Sequence, residues 1–419
     1  MGVRDSATAV YQVGSESAYA HEDKVPRGYK RTEVGVIPED WGVHSLGSIC
    51  GITAGGDLVK AGFSSAVDPS CPYPIYSNAL ANDGLYGYSR SWQYGPCCVT
   101  VTARGDIGHA SYRASRFCAI GRLLVLAPKY PLDMRVISEA INNVVNFALE
   151  STGVPQLTAP QIAKNVIPLP PTKAEQEAIA EALGDADALI ESLQQLIAKK
   201  RAIKQGAMQA LLTGRQHLPG FWEGWQRKKI DDVFQMRIAG SKAQFINNGG
   251  AYYIVDMGSV SRDGHLIVSK VTDHDRDRLM EGELVMPKDD IGGGNIIGKV
   301  AYIDASNRYV LGDHVYALRA MSGDPRFFAY LINGYETNHA LRSKVGGSAQ
   351  LGLSQQAVRE QEIYFPPLAE QTAIATVLFD IDAEIEALEA RLAKTRALKA
   401  GMMQALLTGR IRLPLDRAA

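Results

Sequence analysis

Met208-Gln209-Ala210-Leu211-Leu212-Thr213-Gly214-Arg215 returns near the end of the chain as Met403-Gln404-Ala405-Leu406-Leu407-Thr408-Gly409-Arg410. Outward from this block, Glu175 to Pro219 aligns without a gap on Glu370 to Pro414, with 28 of 45 positions identical. A double proline precedes each copy, Pro170-Pro171 and Pro366-Pro367. The period, near 195 residues, is far too long for a solenoid unit, so two copies of one module stand in tandem.

Each copy reads as a long helix. Ile179, Leu183, Ala186, Ile190, Leu193 and Ile197 are spaced alternately by four and three, and Ile374, Leu378, Ile381, Ile385, Leu388 and Leu392 repeat the pattern. This is the a/d seam of a coiled coil, and it requires a partner. Pro171 and Pro367 stand just before the helices, where proline is tolerated, and Gly214 and Gly409 stand where a left-handed glycine would end them. Ala174 to Thr213 would make about 60 Å of helix at 1.5 Å per residue. Matching seams in one chain favour antiparallel pairing of the two copies over packing of each on its own domain. Beyond the seam, Lys199, Arg201 and Lys204, and in the second copy Lys394, Arg396 and Lys399, form either a solvated face or a site for phosphate contact or partner docking.

The segments between are domains of a different character. Each opens on a tryptophan, Trp41 or Trp225, and alternates short β-type runs with glycine-rich turns. Each closes on a glycine-and-glutamine loop, 152–157 or 346–351. The expected layout is an N-terminal extension 1–36, a first domain 37–169, a central helix 170–215, a second domain 216–365 and a C-terminal helix 366–419.

Composition narrows the class. A 46% hydrophobic and 21% charged chain is that of an ordinary globular protein, and no long apolar run implies a membrane span. Five cysteines, all in the first domain and none in a CxxC pair, fit reduced thiols in the cytoplasm. A net charge of −1 is not that of a strongly basic nucleic-acid binder, so any DNA affinity must come from local patches or from partner subunits.

Signatures of chemistry are missing. Gly293-Gly294-Asn295-Ile296-Ile297-Gly298-Lys299-Val300 approaches a phosphate-binding loop, but Val300 stands where the magnesium-binding hydroxyl belongs and a strand-like run follows. No Asn-Pro-Pro-Tyr or Asp-Pro-Pro-Tyr tetrapeptide and no HExxH pattern occurs. Asp273, Asp275 and Asp277 alternate with His274, Arg276 and Arg278, which reads as a self-compensating loop rather than a cation site.

The double prolines followed by Glu175-Gln176 and Glu370-Gln371, the helices behind them, the paired Leu-Leu-Thr-Gly-Arg tails and Ile37-Pro38-Glu39-Asp40-Trp41 together resemble the specificity subunits of type I restriction-modification enzymes. The resemblance implies an α+β chain of two mixed α/β target-recognition domains. Two long helices would separate them as an antiparallel coiled coil, with internal pseudo-two-fold symmetry. It further implies that each domain reads one half of a split site in double-stranded DNA, while the helices fix the unread gap. The helices would also dock two methyltransferase subunits, to which restriction (motor) subunits can add. No catalytic residue or metal is expected in this chain; S-adenosylmethionine and ATP would be held only by partner subunits. The rival readings are a coiled-coil adaptor that binds only proteins, and a stand-alone methyltransferase or nuclease.

Loop residues able to make bidentate base contacts are the candidate readers. In the first domain these are Asn78, Arg90, Arg104, Arg113 and Gln156; in the second they are Arg237, Lys242, Lys288, Asn295 and Gln350. Tyr73, Tyr76, Tyr86, Tyr88, Trp92 and Tyr94 could stack on DNA, although core packing is the commoner use of such a stretch.

Overall fold

In the computed structural model of the chain, residues 25–147, 155–290, 294–346 and 351–414 are described. Five helices of eight residues or more occur among them: α1 (Met134–Val144), α2 (Lys173–Leu211), α3 (Pro325–Asn333), α4 (Tyr335–Arg342) and α5 (Leu368–Leu406). The long helices α2 and α5 have 39 residues each, and α2 starts one residue before and ends two residues before the expected range. Among the described residues no helix is long and apolar enough to cross a membrane. The chain divides into two compact units, residues 1–191 with 393–419, and residues 192–392. Each unit therefore combines one β-rich segment with the head of one long helix and the tail of the other.

In the first unit a four-stranded antiparallel sheet runs in the order Cys50–Ala54, Leu124–Pro128, Cys98–Val101, Ala110–Arg113. Alternation along the strands sorts side chains to two faces. Val99, Val101, Leu124 and Leu126 meet Ile137, Ala140 and Ile141 of α1, whereas Cys98 and Val125 meet Phe117 and Ala119 on the other face. A second sheet has the order Cys118–Ala119, Tyr73–Tyr76, Leu85–Ser89, Phe63–Ser64, with its first pair parallel.

The second unit has the same topology. Its sheets run Phe234–Arg237, Val315–Ala320, Leu284–Pro287, Ala301–Tyr302, and Tyr309–Leu311, Tyr252–Val255, Val271–Thr272, Ile246–Asn247. Ranked by position in the chain, the strand order of both sheets is identical to that of the first unit, down to the parallel pair. Here Leu284, Met286 and Leu318 face Phe328 and Leu331 of α3, while Val285, Val315 and Ala317 face Val255 and Leu311.

Each domain is closed by pairing its first strand with its last. Gly42–Ser45 pairs antiparallel with Val166–Leu169, and Gln226–Lys229 pairs with Glu362–Phe365. The closing strand runs directly into the double proline and the head of a long helix. Glu175 and Gln176, and their counterparts Glu370 and Gln371, are buried there. Gln176 Nε2 donates to the carbonyl of Pro170 (3.1 Å), and its Oε1 accepts the backbone N–H of Asp133, the N-cap of α1 (3.0 Å). Gln371 makes the same two bonds, to Pro366 (2.7 Å) and to Asp324, the N-cap of α3 (2.9 Å). One glutamine thus fastens a domain to its helix.

The Leu-Leu-Thr-Gly-Arg tails have a physical explanation. Leu406 and Leu407 lie in the core of the first unit, and Leu211 and Leu212 in that of the second. Thr213 and Thr408 donate their hydroxyls to carbonyls four residues back, of Gln209 and Gln404. Gly214 (φ +68°) and Gly409 (φ +67°) then turn in the left-handed region against Trp225 and Trp41 respectively.

Both arrangements weighed for the seam are present. Ile179, Leu183, Ile374 and Leu378 belong to domain cores, whereas Leu193, Ile197 and Ile385 are buried outside them, along the helices. Ala186, Ile190, Ile381, Leu388 and Leu392 are half-buried. Ion pairs link the two helices within each unit, and in the second unit the order of Lys200 with Glu384 and Lys204 with Asp382 is antiparallel. In the second unit Lys204 pairs with Asp382 (2.5 Å), Arg201 with Glu389 (2.6 Å), and Lys200 with Glu384; in the first, Lys399 pairs with Asp187 (2.6 Å). Lys204 and Lys399 occupy one repeat position, as do Asp382 and Asp187, so part of the basic cluster serves helix pairing.

Candidate nucleic-acid interface

At one end of the first domain four loops converge on Asn78. Its Nδ2 donates to the carbonyl of Gly121 (2.7 Å), and its Oδ1 accepts the N–H of Ala103 (2.7 Å). The carbonyl of Ala103 in turn accepts the N–H of Leu157 (2.9 Å). Three exposed or half-exposed side chains are fixed beside these anchors: Arg104, Arg122 and Gln156. Arg104 donates from Nε (3.2 Å) and Nη2 (2.8 Å) to Oε1 of Gln156. Arg122 sits at φ +70°, and its N–H is held by the carbonyl of Gly55 (3.1 Å). The apex is thus basic, and its backbone is pinned in advance. Asn78, expected as a reader, spends both halves of its amide on this scaffold.

The matching apex of the second domain is identified by the same bond, from the N–H of Leu353 to the carbonyl of Lys288 (2.8 Å). Asp289 therefore stands where Arg104 stands, and Gly352 where Gln156 stands. Asp289 is nearly buried and holds Nδ1 of His314 at 2.6 Å; His314 occupies the left-handed corner (φ +60°) that Arg122 takes in the first domain. Lys288 is half-exposed at this apex. One scaffold thus presents a basic cluster in one domain and a carboxylate–imidazole pair in the other.

The remaining candidates are placed differently. Arg113 is 5% exposed, lies 3.7 Å over the ring of Tyr76, and donates to Thr100 (2.9 Å) and to the Asp83 carbonyl (3.0 Å) besides pairing with the Asp83 carboxylate. Lys242 is likewise 5% exposed and paired with Asp277 (2.6 Å). Arg237 clasps the buried Glu283 (2.8 Å) and the carbonyl of Arg278 (2.8 Å). All three hold loops together in the fold, and the burial of Arg113 and Lys242 corrects their expected place on the surface, whereas Arg237 stays half-exposed. Arg90 is exposed, Asn295 is half-buried, and Gln350 lies outside the described residues. Tyr76 and Tyr94 pack on Phe117, whereas Trp92 stays exposed beneath the guanidinium of Arg116, 4.7 Å away.

Lys299, the lysine of the near-phosphate loop, donates to the carbonyl of Asn333 (3.0 Å), and burial pulls its ammonium below the ordinary lysine range. It leads into the strand Ala301–Tyr302, not into a helix. Asp273, Asp275 and Asp277 each hold a different partner, namely Asn247, Arg278 and Lys242. Among the described residues no cluster of three metal-ligating side chains occurs, and the five cysteines are free thiols.

Two positioning residues escaped the sequence reading. Asn142 of α1 bonds both backbone groups of Ala110 (2.8 and 2.9 Å), and Asn333 of α3 does the same to Val300 (2.8 Å each). The signal was available, since each asparagine follows its N-cap aspartate, Asp133 or Asp324, by nine positions. Arg122 was also missed; only the Gly121-Arg122 turn marks it.

The family model described as type I restriction modification DNA specificity domain matches residues 38–199 and again 222–395. A putative type I specificity subunit of Mycoplasma pneumoniae is 30% identical over 129 residues, covering 31% of this chain and 35% of its own. This chain thus matches about a third of that curated relative's length. A putative type I restriction enzyme specificity subunit of Methanocaldococcus jannaschii is 22% identical over 425 residues, covering 92% of this chain and 97% of its own. The fold is similar to that of a type I restriction-modification S subunit from M. genitalium, with a TM-score of 0.62 at 15% identity over 87% of this chain and 96% of that one.

Proposed function

The chain belongs to the type I restriction-modification DNA specificity family, and from that premise we propose that it is the sequence-recognition subunit of a methyltransferase–endonuclease complex. Each β-rich domain reads one half of a split site in double-stranded DNA. The helices α2 and α5 set the unread gap and dock two methyltransferase subunits, to which restriction subunits add. This chain contributes no catalytic group. S-adenosylmethionine and ATP are bound by the partners, and the complex works in the cytoplasm.

The observation that carries the reading is the apex comparison. Two domains with the same strand order present Arg104, Arg122 and Gln156 at one apex and Asp289 and His314 at the other. Retained scaffold with exchanged tip residues suits two modules that read different base sequences, because base pairs are distinguished in the major groove by their donor and acceptor pattern. With a net charge of −1, affinity is shared with the partners that neutralise phosphates.

Co-expression with the cognate methyltransferase subunit, followed by mapping of methylated adenines across the host genome, tests the proposal. A two-part motif with a fixed gap is expected. Insertion of four residues after both Leu193 and Leu388, about one helical turn, should lengthen the gap and leave both halves unchanged. Methylation without a split motif would overturn the reading.

A further inference from the structure

Resting on that reading, the geometry points to Arg104 as a guanine-reading, specificity-determining residue of the first domain, with Gln156 as its positioning residue. A guanidinium has five N–H donors and no acceptor. Nε and Nη2 of Arg104 both aim at Oε1 of Gln156, so the glutamine must turn its oxygen, not its amide nitrogen, to the arginine. That contact occupies one edge of the fork. The other edge, Nη1 with the second hydrogen of Nη2, meets no partner among the described residues.

Two parallel N–H groups on a planar fork match O6 and N7 of guanine in the major groove. Adenine offers an amino group where guanine offers O6, so the same fork rejects it. Long side chains lose rotamer freedom on binding, and here Gln156 has already fixed the plane of the guanidinium. The backbone below is fixed as well, since both polar groups of Ala103 are bonded. The neighbouring Gly105 (φ +71°) is open: apart from its chain neighbours, no atom of the described residues lies within 4 Å of where a Cβ would stand, which leaves room for a base edge. At the matching place in the second domain Asp289 and Gly352 offer no such fork, so this particular contact has no counterpart in the other half-site.

The test is selection of bound duplexes from a random library by the full-length chain in complex with its methyltransferase subunit. Wild type should enrich a split motif with guanine at a defined position of one half. Arg104→Ala should relax that position roughly 5- to 150-fold and leave the other half-site unchanged. Arg104→Lys, which keeps the charge but not the fork, should relax the same position while retaining most of the total affinity. Gln156→Ala should relax it to a smaller degree. Arg104 is exposed, so these variants are expected to fold. Weakening by Arg104→Ala that is uniform across sequences would make Arg104 a phosphate contact and overturn the inference, as would an unchanged motif. Failure of the wild type to enrich any split motif would instead bring down the proposed function, and this inference with it.

Discussion

Nδ1 of His217 lies 2.8 Å from Oε1 of Glu370, in the place where Arg412 grips Glu175 with two nitrogens. His217 and Arg412 hold the same position in the two repeats, as do Glu370 and Glu175, and each basic residue bonds the glutamate of the other copy. The two clasps are unequal. Arg412 satisfies both oxygens of Glu175 at 2.7 Å, whereas Oε2 of Glu370 is buried without a hydrogen-bond partner among the described residues. An unpaired buried acceptor costs about 1–3 kcal/mol. His217→Arg should therefore raise stability by about 1 kcal/mol, seen as a higher urea midpoint at unchanged slope. A loss instead would mean that Trp225, edge-on to His217, leaves the longer side chain no room.

Gln176→Ala should destabilise the first unit by about 1–3 kcal/mol, because it leaves the buried N–H of Asp133 and the carbonyl of Pro170 unpaired. Gln371→Ala should act alike in the second unit. Hydrogen exchange at the first turns of α1 and α3 would localise each effect. Protection that falls equally in both units for either variant would count against a local fastening.

The two tail glycines should differ in tolerance. A Cβ on Gly214 would stand 3.3 Å from Trp225 and Tyr364, but one on Gly409 would stand 2.5 Å from the ring of Pro38. Alanine at a left-handed position costs roughly 1–2 kcal/mol. Gly214→Ala should stay near that figure, and Gly409→Ala should exceed it clearly, as thermal melts of the two variants would measure. Equal losses would mean that Pro38 yields freely.

Burial pushes the Glu139 carboxyl above its ordinary value; Lys399 offsets part of this and Asp187 adds repulsion. A carboxyl with a raised native pKa holds its proton more tightly when folded, so stability falls as pH rises from about 4.5 into the raised range. Glu139→Gln should thus be more stable than wild type at pH 7, with the difference vanishing below about pH 4.5. The reverse order at pH 7 would mean that attraction to Lys399 outweighs burial.

The helices were legible because their signals are local and doubled: the heptad seam, the prolines ahead of it and the glycines behind it. The strand order was not, because it depends on pairings between residues far apart, such as Val285 with Ala317. The placement of the candidate readers was not legible where residue type was the only guide. Arg113 looks from the sequence like any loop arginine, and nothing local announces that Tyr76 and Asp83 enclose it. Arg104 and Gln156 were both chosen, but their bond across 52 positions could not be foreseen. Asn142 and Asn333 were readable in principle, since their spacing from Asp133 and Asp324 is the same, yet a lone helical asparagine has many uses.

Tyr29 donates its hydroxyl to the carbonyl of Gly409 (3.1 Å), so the two ends of the described chain lie in one unit. Each domain rests on the tail of one helix and leads into the head of the other, and the sequence of supports closes on itself. A circular permutant opened within residues 219–224, with a linker from residue 414 to residue 25, would interrupt no bond described above. Such a chain would carry the second domain first and should still assemble both clasps, since each clasp joins residues of one unit. The order of the domains along the chain is then free to vary without disturbing which helix supports which domain.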